Sequence, residues 1–539
     1  MVVTSAKTAP CQEACPAGVD VPRYLRHVRD GRFGDALAVV RERIPFPLVC
    51  GHACFHPCEA KCGRAQFEGP VAIRMLKRVA AQQGAASYVA PRPAPATGRR
   101  AAVIGAGPCG LTAAYELVLQ GHEVTVFEAL DRPGGMLRFG IPAFRLPDAA
   151  IDSDIAVIAA AGVRIRTGSR VPAAEALLAQ GFDAVLIASG AWQPWRLAIP
   201  GEDLPHVLDG LSFLRRVNAG TPPALGGRVV VIGGGNTAVD AARVSRRLGA
   251  EVVQVYRRGR AEMPAAPEEV AAALEEGVRF EYLLAPLRID AAGVTCIRMA
   301  LGEADAGGRP RPVPVPCTER AIAASTVIVA TGQEVRLPSA SVAQAQRRTA
   351  AVDPATLATS VAGIFAGGDA VLGPASIIEA IAQGRQAAGA IDRFLGGSGD
   401  LPRRGGEAPA PAACDAAPRG TARHAWPTIA LPQRLGGFAV VEQAYDTDSA
   451  MREASRCLSC DQRAFAVAVD PVLCKDCGYC REVCAPGVFT RSEQFNASGY
   501  QPALAARPER CIGCLNCLSV CPDFAIAITD RREGGAAGA

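Results

Sequence analysis

The stretch Ala101 to Glu128, AAVIGAGPCGLTAAYELVLQGHEVTVFE, leaves the chain little choice of fold. Four apolar residues that read as a buried strand run into Gly105, Gly107 and Gly110 at G-x-G-x-x-G spacing. A helix pattern follows, then a second strand, Glu123 to Phe127, ending at Glu128, 23 residues after Gly105. The first glycine allows the tight turn, the second lets a pyrophosphate approach the backbone, and the third lets helix and strand pack closely; the helix N-terminus supplies N–H groups and a positive dipole end. Strand, helix, strand and acid in that order make a dinucleotide fold, with Glu128 placed to accept hydrogen bonds from a ribose.

The pattern recurs. GGRVVVIGGGNTAVDAARVSRRLGAEVVQVYRRGRAEMPA repeats the fingerprint with Gly233, Gly235 and Ala238, and Asn236 beside them. The acid is missing: the place 23 residues after Gly233 is Tyr256, followed by Arg257 and Arg258. An acid there would repel a ribose 2′-phosphate, whereas arginines bind one through charge-assisted hydrogen bonds, so NADP(H) is expected, with NAD(H) as the alternative. Between the two fingerprints, DRPGGMLRFGIPAFRLP is too rich in Gly and Pro for a regular element; its Gly135 is a candidate cofactor contact. The first fold is expected to resume near Ser325 with STVIVATG. Asp369 then follows a short apolar strand and precedes a helix, where it can meet a flavin ribityl or pyrophosphate group. This arrangement resembles the two-dinucleotide-binding (Rossmann-like) α/β flavoprotein reductases, with an FAD domain at 99–222 and 322–398 split around an NAD(P)H domain at 223–321.

Twenty cysteines in 539 residues favour metal or cluster ligation at these short repeated spacings. Cys474, Cys477, Cys480, Cys484 and Cys511, Cys514, Cys517, Cys521 form two C-x2-C-x2-C-x3-C runs, the second ending in Pro522. They match the bacterial two-cluster ferredoxin, in which each fourth cysteine ligates the other cluster. One 4Fe-4S cluster then takes Cys474, Cys477, Cys480 and Cys521, the other Cys511, Cys514, Cys517 and Cys484, in an α+β domain at 465–539. Cys109, Cys296, Cys317 and Cys414 stand alone and read as small apolar or incidental residues. Near the N-terminus, Cys11, Cys15, Cys50, Cys54, Cys58 and Cys62 lie in a helical domain, residues 1–90. Gly51 and Pro57 argue for an irregular loop through the Cys50–Cys62 run, and His52 and His56 read as neighbours of a cluster rather than its ligands.

More narrowly, GIPAFRLP, GGGNTAVD, YRRGRAEMPA and AGGDAVLGPASIIEAIAQGR resemble the glutamate synthase small subunit and the reductase half of dihydropyrimidine dehydrogenase, over about residues 10 to 396. The resemblance implies an iron–sulfur module before the FAD domain that opens with R-C-x-x-C. Here that pair is absent, and a matching R-C-L-S-C stands at Arg456 to Cys460. The resemblance also places a ligating glutamine where this chain has Lys77, a poor ligand while charged. Two clusters are expected in the C-terminal domain and one or two near the N-terminus; setting aside the solitary cysteines leaves sixteen, enough for four 4Fe-4S clusters. The expectation is that a return segment, 426–464, beyond a linker at 399–425, folds back over the FAD domain. It would dock Cys457 and Cys460 beside Cys11 and Cys62, leaving Cys15, Cys54, Cys58 and Cys50 for a second cluster.

The parts suit an NADPH-linked, FAD- and 4Fe-4S-dependent oxidoreductase that turns a hydride into single electrons for a partner protein, a large oxidoreductase subunit or a ferredoxin. Hydride transfer needs no acid or base, so no catalytic residue is expected. The alternatives are a diaphorase subunit of a 2-oxoacid:ferredoxin-type oxidoreductase, or a non-catalytic electron carrier. Net charge is +5, but the basic residues are spread without a dense block, so no nucleic-acid partner is expected. No apolar run approaches a membrane span and no signal core opens the chain, so a cytoplasmic location is expected; a homodimer and a hetero-oligomer both stay open.

Overall fold

The computed structural model describes residues 8–304, 308–401, 421–462, 465–484, 486–511 and 513–530. Cys414 and most of the expected linker lie outside them. The chain forms two compact units: Ala90–Leu401 with Pro427–Gln443, and Met1–Val89 with Pro402–Trp426 and Ala444–Ala539.

The first unit holds two parallel sheets of nucleotide-binding type. One runs in the spatial order Ile364–Ala366, Ala184–Ile187, Arg100–Ile104, Glu123–Phe127, Arg164–Arg166, all parallel. Its central strands are buried on both faces, as their unbroken apolar runs require. Helix Pro108–Leu119 covers it and is itself covered by Ile377–Phe394. The two helices close on each other at Gly384, where a Cβ would come within 2.4 Å of the Cys109 carbonyl oxygen.

The second sheet runs Val207–Asp209, Thr326–Val329, Arg228–Ile232, Glu251–Tyr256, Arg279–Tyr282. This corrects both expected boundaries. STVIVATG does not resume the first fold: Thr326 pairs with Val229 and Val327 with both Val230 and Val207, inside the second sheet. Val207–Asp209 and helix Gly210–Asn218, capped by the Asp209 carboxylate on the Ser212 N–H, belong there too, with Phe213 and Leu214 in its core. An apolar strand before a glycine turn suits either sheet, and only its hydrogen-bonded neighbours say which one it joins. The chain crosses between the folds at an antiparallel pair, Gln193–Pro194 with Gln333–Glu334. The Gly/Pro-rich stretch after Glu128 holds one turn of helix, Met136–Phe139, where none was expected.

The expected return segment divides. Residues 427–443 pack on the second nucleotide fold rather than over the FAD domain: Val441 and Phe438 join its core beside Phe144, the Val441 N–H donates to the Phe144 carbonyl (2.9 Å), and Arg434 pairs with Glu275 (2.9 Å).

From Ala444 the chain belongs to the other unit. There helix Thr447–Ser455 packs against Val21–Arg29 and Ile73–Gly84. The Cys50–Cys62 run is more regular than its Gly and Pro suggest: Cys50 lies in helix Pro47–Ala53 and Cys58 in Pro57–Ala60. Gly51 serves packing rather than a turn, because a Cβ there would meet the Arg78 Cα at 2.7 Å. The break falls at Cys54 to His56, with His56 left-handed at φ 40°. The C-terminal domain is built on the antiparallel pair Phe465–Val469 with Ile526–Asp530, over a small core of Val488, Phe489, Ile526 and cysteines. Among the described residues no helix is long and apolar enough to cross a membrane.

Candidate functional site

Both glycine loops have the shape of a phosphate cradle. At Gly105 a Cβ would lie 2.4 Å from the Ala188 carbonyl oxygen, and at Gly110 2.1 Å from that of Gly105, so neither position tolerates a side chain. At Gly107, by contrast, a Cβ would meet nothing within 4 Å. Gly107 also begins helix Pro108–Leu119 with no side-chain cap, which leaves the helix N-terminus free for an anion. Gly135, left-handed at φ 56°, brings the next loop against Gly107; its Cβ would stand 3.0 Å from the Gly107 Cα. An FAD pyrophosphate fits this open, donor-lined space. Glu128 is buried and braces the loop, accepting from the N–H groups of Ala106 (2.8 Å) and Leu130 (2.9 Å). Lone pairs remain on both oxygens for a ribose.

Asp369 opens a short helix after Gly368, left-handed at φ 66°, and burial pushes its carboxyl up to about 7 against the pull of the Ala375 N–H. Cys109, expected to be incidental, packs against Gly367 and Gly368 and faces Asp369; burial first and that carboxylate second push its thiol up. Cys296 is apolar core as expected, and Cys317 is exposed at a left-handed turn.

The second cradle repeats the first with one substitution. A Cβ at Gly233 would strike the Ala330 carbonyl oxygen at 2.2 Å, and Gly235 opens on space with no side-chain cap on its helix. Ala238 fits at the third place, fully buried. Tyr256, where an acid was missing, lays its ring on Gly234, so closely that a Cβ there would stand 2.3 Å from the ring. Asn236 is committed to the following loop through the Ala266 N–H (3.0 Å). The two arginines after Tyr256 differ. Arg257 is exposed at the strand end, whereas Arg258 is buried with its Nε donating to the Pro310 carbonyl (2.8 Å). Arg309, which no sequence signal marked, reaches the Tyr256 hydroxyl (3.1 Å) and lies at the same edge.

In the C-terminal domain one cavity is lined by Cys474, Cys477, Cys480 and Cys521. Burial, then Cys514, Cys484 and Cys511, push the Cys517 thiol up to about 12. These are the two interleaved sets that the spacing implies. Backbone N–H groups donate to sulfur at Cys474 (from Ala503, 3.4 Å), Cys484 (Val488, 3.3 Å), Cys511 (Gly513, 3.4 Å) and Cys521 (Ala525, 3.3 Å). Such bonds stabilise thiolates and tune cluster potentials, and nothing in the spacing announces them.

The N-terminal cysteines sort the same way. Burial and then Cys457, Cys62, Cys460 and Cys58, in falling order, push the Cys11 thiol up. Cys457 is raised to about 12 by burial, with Cys62 and Asp461 adding to it. Lys77 faces the other set, Cys54, Cys50, Cys58 and Cys15. Burial alone would lower the Lys77 pKa; the four sulfurs override it and raise it. Crowded thiolates that repel one another need a positive core to neutralise them, which iron supplies. The His52 backbone carbonyl accepts from Arg74 (2.8 Å), the His56 backbone N–H donates to the Cys54 sulfur (3.4 Å), and the His56 ring faces Glu59 (3.7 Å).

What holds Cys457 and Cys460 in place is a buried ion pair that sequence reasoning missed. The Arg456 guanidinium, fully buried, donates to Glu453 (2.7 Å), to the carbonyls of Gly69 (2.7 Å) and Pro70 (3.3 Å), and to that of Thr421 (3.1 Å). Glu453 in turn accepts from the N–H groups of Ala72 (2.8 Å) and His424 (2.9 Å). Arg26 clasps Asp461 with two bonds of 3.0 and 2.9 Å.

Comparison with known proteins identifies the three parts of the chain. Residues 100–384 match the pyridine nucleotide-disulphide oxidoreductase family. The chain belongs to that family. Residues 4–88 match the 4Fe-4S cluster domain II of dihydropyrimidine dehydrogenase, and 473–525 match the 4Fe-4S dicluster domain. The chain is therefore an FAD- and pyridine-nucleotide-dependent oxidoreductase with iron–sulfur domains at both ends. Among its relatives is the NADP(+)-dependent formate dehydrogenase subunit beta of Moorella thermoacetica, 41% identical over 84% of this chain and 70% of that one. The NADPH-Fe(3+) oxidoreductase subunit beta of Geobacter sulfurreducens is 40% identical over 72% of this chain and 64% of its own length. The glutamate synthase [NADPH] small chain of Azospirillum brasilense is 35% identical over 73% of this chain and 87% of its own.

Proposed function

We propose that this chain is the electron-input subunit of a larger enzyme, oxidising NADPH and delivering electrons singly to a partner subunit that carries the terminal acceptor site. What supports the reading is that sixteen of the cysteines fall within one compact unit, in a chain that also has two dinucleotide cradles. FAD and the 4Fe-4S clusters, when bound, supply the exchange of a hydride for single electrons.

The chain's own residues bind and orient. Gly107 and the open helix end behind it would receive the FAD pyrophosphate, Glu128 the ribose, and Asp369 the ribityl region. Gly235 would receive the NADPH pyrophosphate, with Arg257 and Arg309 at the edge where a 2′-phosphate would lie. Three relatives are named for NADPH or NADP(+), and two of those are named as beta subunits, which favours both the nucleotide and the dependence on a partner.

The two ends of the cysteine series are tied within one unit. Asn516, between Cys514 and Cys517, donates to Gln66 (3.0 Å), four residues after Cys62. This favours the set of Cys11, Cys62, Cys457 and Cys460 as the neighbour of the ferredoxin. The test is NADPH-dependent reduction of a viologen dye by the anaerobically purified chain, with iron analysis. About sixteen irons per chain, on four clusters of four, and turnover with NADPH are expected; a chain with full iron and flavin that NADPH does not reduce would leave only the carrier role.

A further inference from the structure

Lys77 is out of place by the ordinary rules of a helix. It sits in helix Ile73–Gly84, which is buried on every side from Ile73 to Ala81, and is only 4% exposed. A lysine buried to that degree is normally matched by a carboxylate. Among the described residues none pairs with it: Glu59, which shares the neighbourhood of these sulfurs, is taken by Arg423 and the Arg74 N–H. The helix of Lys77 packs against Pro47–Ala53, which carries Cys50, and against Pro57–Ala60, which carries Cys58, with Gly51 pressed on the Arg78 backbone beside Lys77; the charges nearest the ammonium are accordingly those of Cys54, Cys50, Cys58 and Cys15. Arg74 of the same helix points elsewhere, to the His52 carbonyl and the Trp426 ring.

We propose that Lys77 is a built-in counter-cation for the cluster held by Cys15, Cys50, Cys54 and Cys58, making that cluster easier to reduce without ligating it. The inference rests on the reading that these four cysteines hold a 4Fe-4S cluster. An ammonium has three donors and no lone pair, so it cannot bind iron, and four thiolates already complete the ligand set. Such a cluster is net negative and gains a further negative charge when it takes an electron. A fixed cation in a water-poor site therefore stabilises the reduced form more than the oxidised one. The step is the transfer of one electron into the cluster, from the reduced flavin in turnover or from dithionite in a titration. No bond forms or breaks, and Lys77 keeps its proton throughout. A position that breaks local helix rules while serving a redox centre is where function overrides packing.

The experiment is an anaerobic redox titration of the whole chain, followed by electron paramagnetic resonance with iron analysis, for Lys77→Met, Lys77→Gln, Lys77→Arg and Cys50→Ala. Lys77→Met is expected to keep full iron, while at a fixed poise the reduced-to-oxidised ratio of one N-terminal cluster falls at least tenfold. That corresponds to about 59 mV for a one-electron couple. Lys77→Arg should restore most of the ratio, and the ferredoxin signals should not move. Unchanged titration of Lys77→Met with full iron overturns the proposal. If Lys77→Met and Lys77→Gln both lose about four irons, retention in Lys77→Arg still assigns the role to charge, whereas loss in all three makes Lys77 a structural or ligand position and overturns it. Cys50→Ala reports on the underlying reading separately: it should lose or rebuild that cluster, and full iron with unchanged signals would remove Cys50 from the ligand set whatever Lys77 does.

Discussion

Arg456→Met should release the segment that carries Cys457 and Cys460. Methionine keeps much of the side-chain volume, so the change acts mainly on polar contacts. It removes the cation facing Glu453 and the donors to the carbonyls of Gly69, Pro70 and Thr421. Both Arg456 and Glu453 are fully buried, so the variant strands a carboxylate away from water. Breaking a buried pair in this way costs about 3–5 kcal/mol. That raises the local opening of 444–462 by roughly two to four orders of magnitude, against a typical domain stability of about 5–15 kcal/mol. The unit should stay folded while the segment frays. Hydrogen exchange of the Thr447–Ser455 helix is the direct assay, and iron should fall by about four per chain if this segment completes a cluster. Adding Glu453→Leu should recover part of the loss, because the stranded charge goes with it. Unchanged exchange in Arg456→Met refutes the reasoning about the ion pair; fast exchange with full iron refutes the part assigned to Cys457 and Cys460.

Arg257→Ala should raise the KM for NADPH about tenfold and leave NADH unaffected, the loss of one charge-assisted bond worth about 1.5–3 kcal/mol; equal effects on both nucleotides, in steady-state kinetics, would sink the assignment. Arg258→Ala should instead show up in thermal stability, since its Nε serves the Pro310 carbonyl. Truncation after Ala464 should remove about eight irons and spare flavin reduction by NADPH, because the ferredoxin has its own small core; failure of flavin reduction in stopped flow would show that the domain supports the rest. The nucleotide unit should lose stability in acid through Glu276. Burial alone would raise its pKa, but hydrogen bonds from Arg247 and Arg243 lower it to about 2. A lowered folded-state pKa means stability that is present above the ordinary carboxylate range and lost as pH falls from about 4.5 toward 2, about 3 kcal/mol at full effect. Glu276→Gln should flatten that slope in chemical denaturation, and an unchanged slope would count against it.

Much of this molecule is legible in one dimension because its chemistry is written in short spacings. Gly105, Gly107 and Gly110 mark a strand–turn–helix by their spacing; the approach that forbids a side chain at Gly110 is made by the Gly105 carbonyl within the loop, while the one at Gly105 comes from Ala188, far along the chain. The two ferredoxin runs pair their cysteines by a rule of spacing. The misreadings have one physical origin. STVIVATG is an apolar strand in either sheet, Gly51 looks like a helix breaker until Arg78 packs on it, and Arg258 reads as a phosphate ligand until Pro310 engages it.

Spacing by itself determined two dinucleotide folds and a C-terminal ferredoxin-like domain, because the glycines and cysteines that mark them stand in runs a few positions apart. Only the tertiary structure decided that Thr326–Val329 joins the second sheet, that 427–443 parts from 444–462, that Arg456 locks Cys457 beside Cys11, and that Lys77 faces four sulfurs. Those outcomes turn on buried hydrogen bonds and ion pairs between segments hundreds of residues apart, and no local periodicity encodes which buried donor will meet which buried acceptor.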